Sequence, residues 1–158
     1  MLMIFGSFNH QHHEHMDTFQ TLNLKKTLKY MSTIQRFEDL KCWQAARQLV
    51  KLIYLVSRTG EFVRDFDTKN QFRKAALASM NNIAEGFGRF GRKDFIRFLD
   101  ISQSSVLEVQ SMLYVLSDLE YVTEDKIIEI RLKSEETKNL TLAFIRYLRS
   151  SIAKNLKP

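Results

Sequence analysis

Apolar residues recur every three or four positions from Leu40 onward, which is the spacing that lines one face of an α-helix. The first stretch ends near Gly60, and a second follows residues 68–71, where threonine and glutamine occupy the positions of a capping box. A third stretch keeps a near-heptad rhythm over residues 95–119, and a fourth covers residues 127–152. Four amphipathic segments with short connections predict an all-α fold, an antiparallel up-down-up-down four-helix bundle.

Residues that interrupt regular structure are rare in this chain of 158 residues. Proline occurs once, as the last residue Pro158, and glycine occurs five times, which favours long helices over a many-stranded sheet. Residues 1–35 contain all four histidines and show no sustained period, so we interpret them as a disordered or loosely ordered leader with the native start at Met31. The bundle domain is predicted to span residues 36–153, with a C-terminal tail at 154–158.

The first and fourth predicted helices carry more apolar surface than one bundle requires. An apolar stripe on both sides of a helix is typical of burial on both sides, and a four-helix chain has no fifth helix to offer. We therefore predict that copies of the chain assemble into a homo-oligomeric ring. The predicted interface consists of Leu49, Leu52, Leu55, Leu140, Ala143 and Tyr147. The alternative is a set of scattered exposed apolar side chains, which soluble proteins commonly carry.

Composition and the absence of targeting segments restrict the class of protein. Hydrophobic residues at 44% and charged residues at 27% are values of a globular protein. The single cysteine, Cys42, can form no internal disulfide, which favours a reducing compartment. No apolar run reaches the roughly 18–20 residues of a membrane span, and residues 1–5 are too short for the core of a signal peptide. We expect a cytoplasmic protein with no membrane partner.

None of the candidate catalytic motifs predicts an enzyme active site. Residues 86–91 match the G-x-G-x-x-G pattern of dinucleotide sites, but that motif requires a preceding strand, and here the pattern predicts a helix stop and a tight turn. No histidine follows His15, Cys42 has no histidine near it in sequence, and we interpret Glu85 as an ion-pair partner for arginines of the adjoining turn. The histidines at residues 10–15 are expected to bind metal only adventitiously. We predict no catalytic residue, no cofactor and no functional metal site.

Positive charge is distributed unevenly in a chain of formal net charge +6. Between Lys41 and Arg97, 12 lysines and arginines outnumber 5 acidic residues, whereas residues 101–125 contain five acidic residues and no basic one. Because cations attract phosphates and exposed aromatic rings stack on unpaired bases, this region is a candidate nucleic-acid surface. The predicted binding residues are Arg73, Lys74, Arg89, Arg92, Lys93 and Arg97, with Phe87, Phe90 and Phe95 interleaved. The alternative is a solvated bundle end above core phenylalanines.

Three blocks of the sequence resemble a known family. Residues 37–46 (FEDLKCWQAA), 73–89 (RKAA leading to NIAEGFGR) and 94–99 (DFIRFL) are similar to the four-helix-bundle family encoded in 23S rRNA intervening sequences, and the resemblance extends from Phe37 to Tyr147. It implies a homopentameric barrel of bundles. Through related accessory proteins of diversity-generating retroelements, it also implies a basic surface for nucleic acid and a reverse-transcriptase partner. The predicted cations that match the family's basic pattern are Arg73, Lys74, Arg89 and Arg97.

These patterns together predict a non-enzymatic oligomeric bundle that binds RNA, with structured RNA favoured, or another nucleic acid. Phosphate charge would dominate the binding, so we expect slight sequence preference and steep salt dependence. The alternative is an oligomeric scaffold that docks a protein partner, such as a reverse transcriptase, with its basic patch against an acidic surface.

Overall fold

The computed structural model describes residues 34–155, and its long elements are all helices. In chain order these are α1 (Lys41–Val56), α2 (Phe66–Phe87), α3 (Arg92–Asp118) and α4 (Glu124–Asn155). Short 3₁₀ turns lie at Phe37–Asp39 and Glu61–Val63, before α1 and α2. No strand occurs among these residues, and the prediction of an all-α four-helix fold is confirmed.

The chain divides into two units, Met1–Gln35 and Arg36–Pro158, and the second unit carries the four helices. The predicted leader, except for its last two positions, and the histidines within it lie outside the described residues. Helix α4 continues to Asn155, so helix occupies the first two positions of the segment that was expected to be a tail.

Each helix of the second unit packs against two others. α1 contacts α2 and α4, and α3 contacts the same two helices. Between α2 and α3, the Ser102 hydroxyl donates to the Ser79 carbonyl at 2.7 Å. Between α3 and α4, the Gln103 amide donates to the Lys138 carbonyl at 2.8 Å. The four helices therefore surround one shared core, as a four-helix bundle does.

The core changes character along the bundle. Near the α1–α2 and α3–α4 connections it consists of large apolar side chains, including Leu49, Ile53, Phe62, Phe72, Leu113, Leu116, Ile127 and Ile130. Near the middle of the bundle, the buried positions include the hydroxyl residues Ser79, Ser102, Ser105, Ser134, Thr137 and Thr141. Each of these hydroxyls donates to a backbone carbonyl, so burying them leaves no donor unsatisfied.

The start of α2 differs from the predicted capping box. The Asp65 carboxylate accepts a hydrogen bond from the Thr68 amide at 3.0 Å, and the helix begins at Phe66. Thr68 and Gln71 therefore lie inside the helix, where the Gln71 amide donates to Glu108 of α3. Because aspartate and threonine are both good N-cap residues, the spacing of residue types did not decide which one ends the preceding turn.

Candidate nucleic-acid interface

The α2–α3 connection presents a cluster of cations. Helix α2 ends at Phe87, residues 88–91 form the turn, and α3 begins at Arg92. Arg92, Lys93 and Arg97 are exposed and form no hydrogen bond or ion pair with any described residue. We call this surface the basic end; it consists of Arg89, Phe90, Arg92, Lys93 and Arg97.

Arg89 is the cation of the basic end that already has partners. Its guanidinium forms an ion pair with Glu85, one helical turn earlier, and lies 4.9 Å from the centroid of the Phe98 ring. The prediction that Glu85 pairs with an arginine of this turn is therefore confirmed. Because Glu85 neutralises Arg89, this guanidinium offers less attraction to an anion than its three unpaired neighbours do.

Of the three glycines in residues 86–91, Gly86 is the one whose missing side chain the packing of the helices requires. A Cβ atom on Gly86 would lie 2.6 Å from Phe95 Cδ2 and 2.7 Å from Phe98 Cβ, so glycine permits the close approach of α2 and α3. Gly88 and Gly91 have φ angles of −75° and −117°, which other residues also adopt. As predicted, a helix rather than a strand precedes the motif, so it lacks the context of a dinucleotide site.

Arg73 and Lys74 lie far from the basic end, which corrects the expectation that all six cations share one surface. The Arg73 guanidinium donates to the Ser57 hydroxyl at 2.7 Å and to the Ser57 carbonyl at 3.1 Å, and it lies 4.7 Å from the centroid of the Tyr54 ring. Arg73 therefore donates hydrogen bonds to Ser57, the residue that follows the carboxyl end of α1. Along α2 the rise from Lys74 to Phe87, the last residue before the turn, is about 20 Å.

The described residues contain no cluster of side chains typical of a metal centre. No three side chains of His, Cys, Asp or Glu in this part of the chain come together as metal ligands do. Burial raises the pKa of the Cys42 thiol to about 12, so the thiol is protonated at neutral pH and is a poor nucleophile. Within residues 34–155, none of the helices has the length and apolar content that crossing a membrane requires.

Comparison with known proteins assigns the family. The family model described as 23S rRNA-intervening sequence protein matches residues 38–143, which is more than half of the chain. The chain belongs to this family. The matched range includes α1, α2, α3 and the larger part of α4, and it contains the whole basic end. The resemblance seen in residues 37–46, 73–89 and 94–99 is thereby confirmed.

A solved structure shares the fold. It is described as a protein with unknown function from the S23 ribosomal protein family of Bacteroides thetaiotaomicron. The TM-score is 0.61 at 23% sequence identity, and the match covers 66% of this chain and 95% of the other. No curated protein sequence matches the chain.

The six residues predicted to form an interface between copies differ in exposure. Leu49 is fully buried in the core of the subunit, which corrects its assignment, because the buried stripe of α1 passes through Leu49 and Ile53. The remaining residues keep apolar surface accessible. Leu55 and Ala143 are exposed, and Leu52, Leu140 and Tyr147 are half-buried.

Sequence reasoning missed a second set of exposed apolar side chains, on α3 and α4. The exposed fraction is 65% for Leu132, 61% for Tyr114 and 54% for Leu107. The Arg131 guanidinium of α4 lies 5.1 Å from the centroid of the Tyr114 ring of α3, so the outer faces of the two helices meet here. The available signal was the spacing, since Leu107 and Tyr114 lie two turns apart on one face of α3.

Proposed function

We propose that this member of the 23S rRNA-intervening sequence protein family is a non-enzymatic homo-oligomer that binds RNA, or another nucleic acid, at the basic end. One observation carries the proposal: Arg92, Lys93 and Arg97 are exposed and unpaired among the described residues. Free cations of this kind attract a phosphate backbone by releasing its condensed counterions, which requires no catalytic group.

The proposed subunit is an antiparallel up-down-up-down bundle. Contacts between α2 and α3 support this arrangement, because Gln71 reaches Glu108, Ser79 reaches Ser102 and Gly86 faces Phe95. Contacts between α3 and α4 follow the same rule, with Gln103 bonded to Lys138 and Gln110 bonded to Glu135. In both pairs, residue numbers rise along one helix as they fall along the other.

The proposed assembly is a ring, with five copies as the resemblance implies. Apolar surface that a single subunit leaves accessible supports assembly, including Leu55 on α1 and Leu132 on α4, which are 51% and 65% exposed. A closed ring repeats the basic end around its symmetry axis. The repeated positive charge then attracts a polyanion more strongly than one subunit would.

Charge reversal at the basic end tests the proposal. We expect the triple variant Arg92→Glu, Lys93→Glu, Arg97→Glu to lose binding to an RNA hairpin while its helical content, measured by circular dichroism, stays unchanged. The matched control reverses three other exposed cations, with Lys51→Glu, Arg58→Glu and Lys74→Glu. The control has the same net charge as the test variant, so we expect it to keep most of the affinity.

Fluorescence anisotropy at a series of salt concentrations measures the affinity, and native mass spectrometry counts the subunits and the bound strands. The proposal requires that the logarithm of the association constant fall steeply as the logarithm of the salt concentration rises. Affinity that is insensitive to salt, or that survives the basic-end reversal, contradicts the nucleic-acid role. A single-subunit mass at micromolar concentration contradicts the ring.

A second candidate function is an oligomeric scaffold that docks a protein partner, such as the reverse transcriptase that the resemblance implies. The exposed Leu107, Tyr114 and Leu132 favour it, because apolar side chains on neighbouring helices offer a protein-binding surface. Purification from the native host separates the two functions. A high absorbance at 260 nm that collapses after nuclease treatment favours nucleic acid, whereas a retained polypeptide favours the scaffold.

A further inference from the structure

Phe90 exposes its whole ring at the tip of the α2–α3 turn, with a relative accessibility of 111%. The neighbouring phenylalanines behave differently. Phe87 and Phe95 pack edge to face with ring centroids 6.1 Å apart, and Phe95 also contacts Phe144 at 5.3 Å. Phe90 therefore adds nothing to the core of the subunit, and its exposure has no explanation in packing.

The surroundings of Phe90 are cationic rather than apolar. Arg92 and Lys93 follow it within three positions, and both are exposed and unpaired among the described residues. Over residues 87–100, Phe90 is the exposed large hydrophobic side chain. Phe90 thus projects into solvent close in sequence to two exposed cations, with the Asp94 carboxylate also in the first turn of α3.

This combination suits an unpaired nucleobase. Cations hold the phosphates of a strand, and an aromatic ring beside them stacks on a base whose face is free. Bases inside an A-form duplex are stacked on one another, and the deep, narrow major groove keeps side chains away from them. A ring on a short turn therefore reaches a base only in a single strand, a loop or a bulge.

We propose that Phe90 stacks on an unpaired base, so that the ligand of the basic end is a single-stranded or looped segment of RNA rather than a continuous duplex. This inference rests on the proposed function and adds the class of ligand to it. A lipid surface is disfavoured, because membrane-binding segments insert an extended apolar face and Phe90 is an isolated ring.

Two fluorescein-labelled probes test the proposal with the full-length protein: a single-stranded 12-nucleotide RNA and a blunt 12-base-pair RNA duplex. Stacking of a base on one aromatic ring contributes about 1–3 kcal/mol to the binding free energy. Phe90→Ala is therefore expected to weaken single-strand binding roughly 5-fold to 100-fold. Duplex binding is expected to stay within about twofold, since phosphate contacts dominate it. Phe90→Leu, which keeps an apolar side chain without a π face, should weaken single-strand binding as Phe90→Ala does.

Phe90→Trp supplies a direct signature of stacking. The natural chain has one tryptophan, Trp43, and it lies on α1 outside the basic end. Stacking of a base on the new indole should quench its fluorescence, and the variant should keep single-strand affinity. The parent protein, titrated in parallel, corrects for any change at Trp43.

The outcomes separate the two proposals. If Phe90→Ala or Phe90→Leu keeps full single-strand affinity while the basic-end reversal abolishes it, stacking is overturned and the nucleic-acid function stands. If the parent protein binds neither probe, both proposals are overturned. Phe90-dependent binding to phosphatidylserine vesicles in place of RNA also overturns both, because the ring would then be a lipid contact.

Discussion

At one end of the bundle Phe62 is fully buried and stacks on Tyr121 with ring centroids 5.3 Å apart, whereas at the basic end Phe90 exposes its whole ring. Arginines differ in the same way, since Arg73 is bonded to Ser57 and Arg97 has no partner among the described residues. We call the first region, which comprises residues 57–65 and 119–123, the closed end. Residues of the same type stabilise the fold at the closed end and remain available to a ligand at the basic end.

The connections explain this difference. At the closed end two connections meet, and the Tyr121 hydroxyl of one donates to the Asp65 carboxylate of the other at 3.2 Å. Together they supply enough chain to cover Phe62 and Phe72, whose ring centroids are 6.2 Å apart. At the basic end, by contrast, the turn of residues 88–91 is too short to fold back over Phe90.

The largest expected difference is in stability, between substitution of Phe62 and substitution of Phe90. Phe62→Ala should lower the free energy of unfolding by about 3–5 kcal/mol, because it removes a fully buried ring and leaves a cavity. Phe90→Ala should change it by less than about 0.5 kcal/mol, since an exposed ring loses no contacts. Urea denaturation of both variants measures the difference. Similar losses from the two substitutions would show that the closed end and the basic end are not distinct.

A smaller difference in stability is expected between substitution of Arg73 and substitution of Arg97. Arg73→Met should cost about 1.5–3 kcal/mol, because it removes charge-assisted hydrogen bonds to Ser57 while keeping most of the aliphatic bulk. Arg97→Met should leave the free energy of unfolding almost unchanged and weaken RNA binding instead. Denaturation and anisotropy titrations on the same two proteins check both halves of this prediction. Loss of RNA affinity in Arg73→Met without loss of stability would contradict the structural role of Arg73.

The smallest expected effect is a pH dependence at the closed end. The pKa of Asp65 lies below its ordinary value of 3.8, chiefly because the Thr68 hydroxyl bonds to the carboxylate, with further bonds from the Thr68 amide and the Tyr121 hydroxyl. The charged form is therefore favoured by folding. Its stabilising contribution is complete above pH 3.8 and is lost as the pH falls through the lower pKa of the folded state.

Asp65→Asn should keep the N-cap, since asparagine also accepts from the Thr68 amide, and should remove this acid-dependent part of the stability. Melting temperatures measured from neutral pH to below 3.8 give the two profiles. We expect the profiles of the parent and the variant to converge as the pH falls. Parallel profiles would mean that Asp65 does not titrate with folding.

Much of the fold follows from local spacing. Helices α2, α3 and α4 were predicted from apolar periods that persist over several turns. On α1, Leu49 was wrongly assigned to the interface between copies. Leucine residues occur on more than one face of this helix, and periodicity alone does not show which face is buried. The α2 N-cap was misplaced as well, because Asp65 and Thr68 have similar capping ability.

The candidate site was only partly predictable. Arg92, Lys93, Arg97 and Phe90 were identified from charge and interleaved aromatics, and their exposure fits that interpretation. Arg73 was grouped with them because sequence shows charge but not hydrogen-bond partners. Its partner, Ser57, lies on the far side of a chain reversal, 16 residues away.

The sequence by itself determined four amphipathic helices, the family and an excess of positive charge, because each of these depends on residue types and on spacings within a few turns. Only the tertiary structure decided which cations are free and which aromatic ring is uncovered. Those properties depend on neighbours brought together from distant segments, as Ser57 is to Arg73 and Tyr121 is to Phe62.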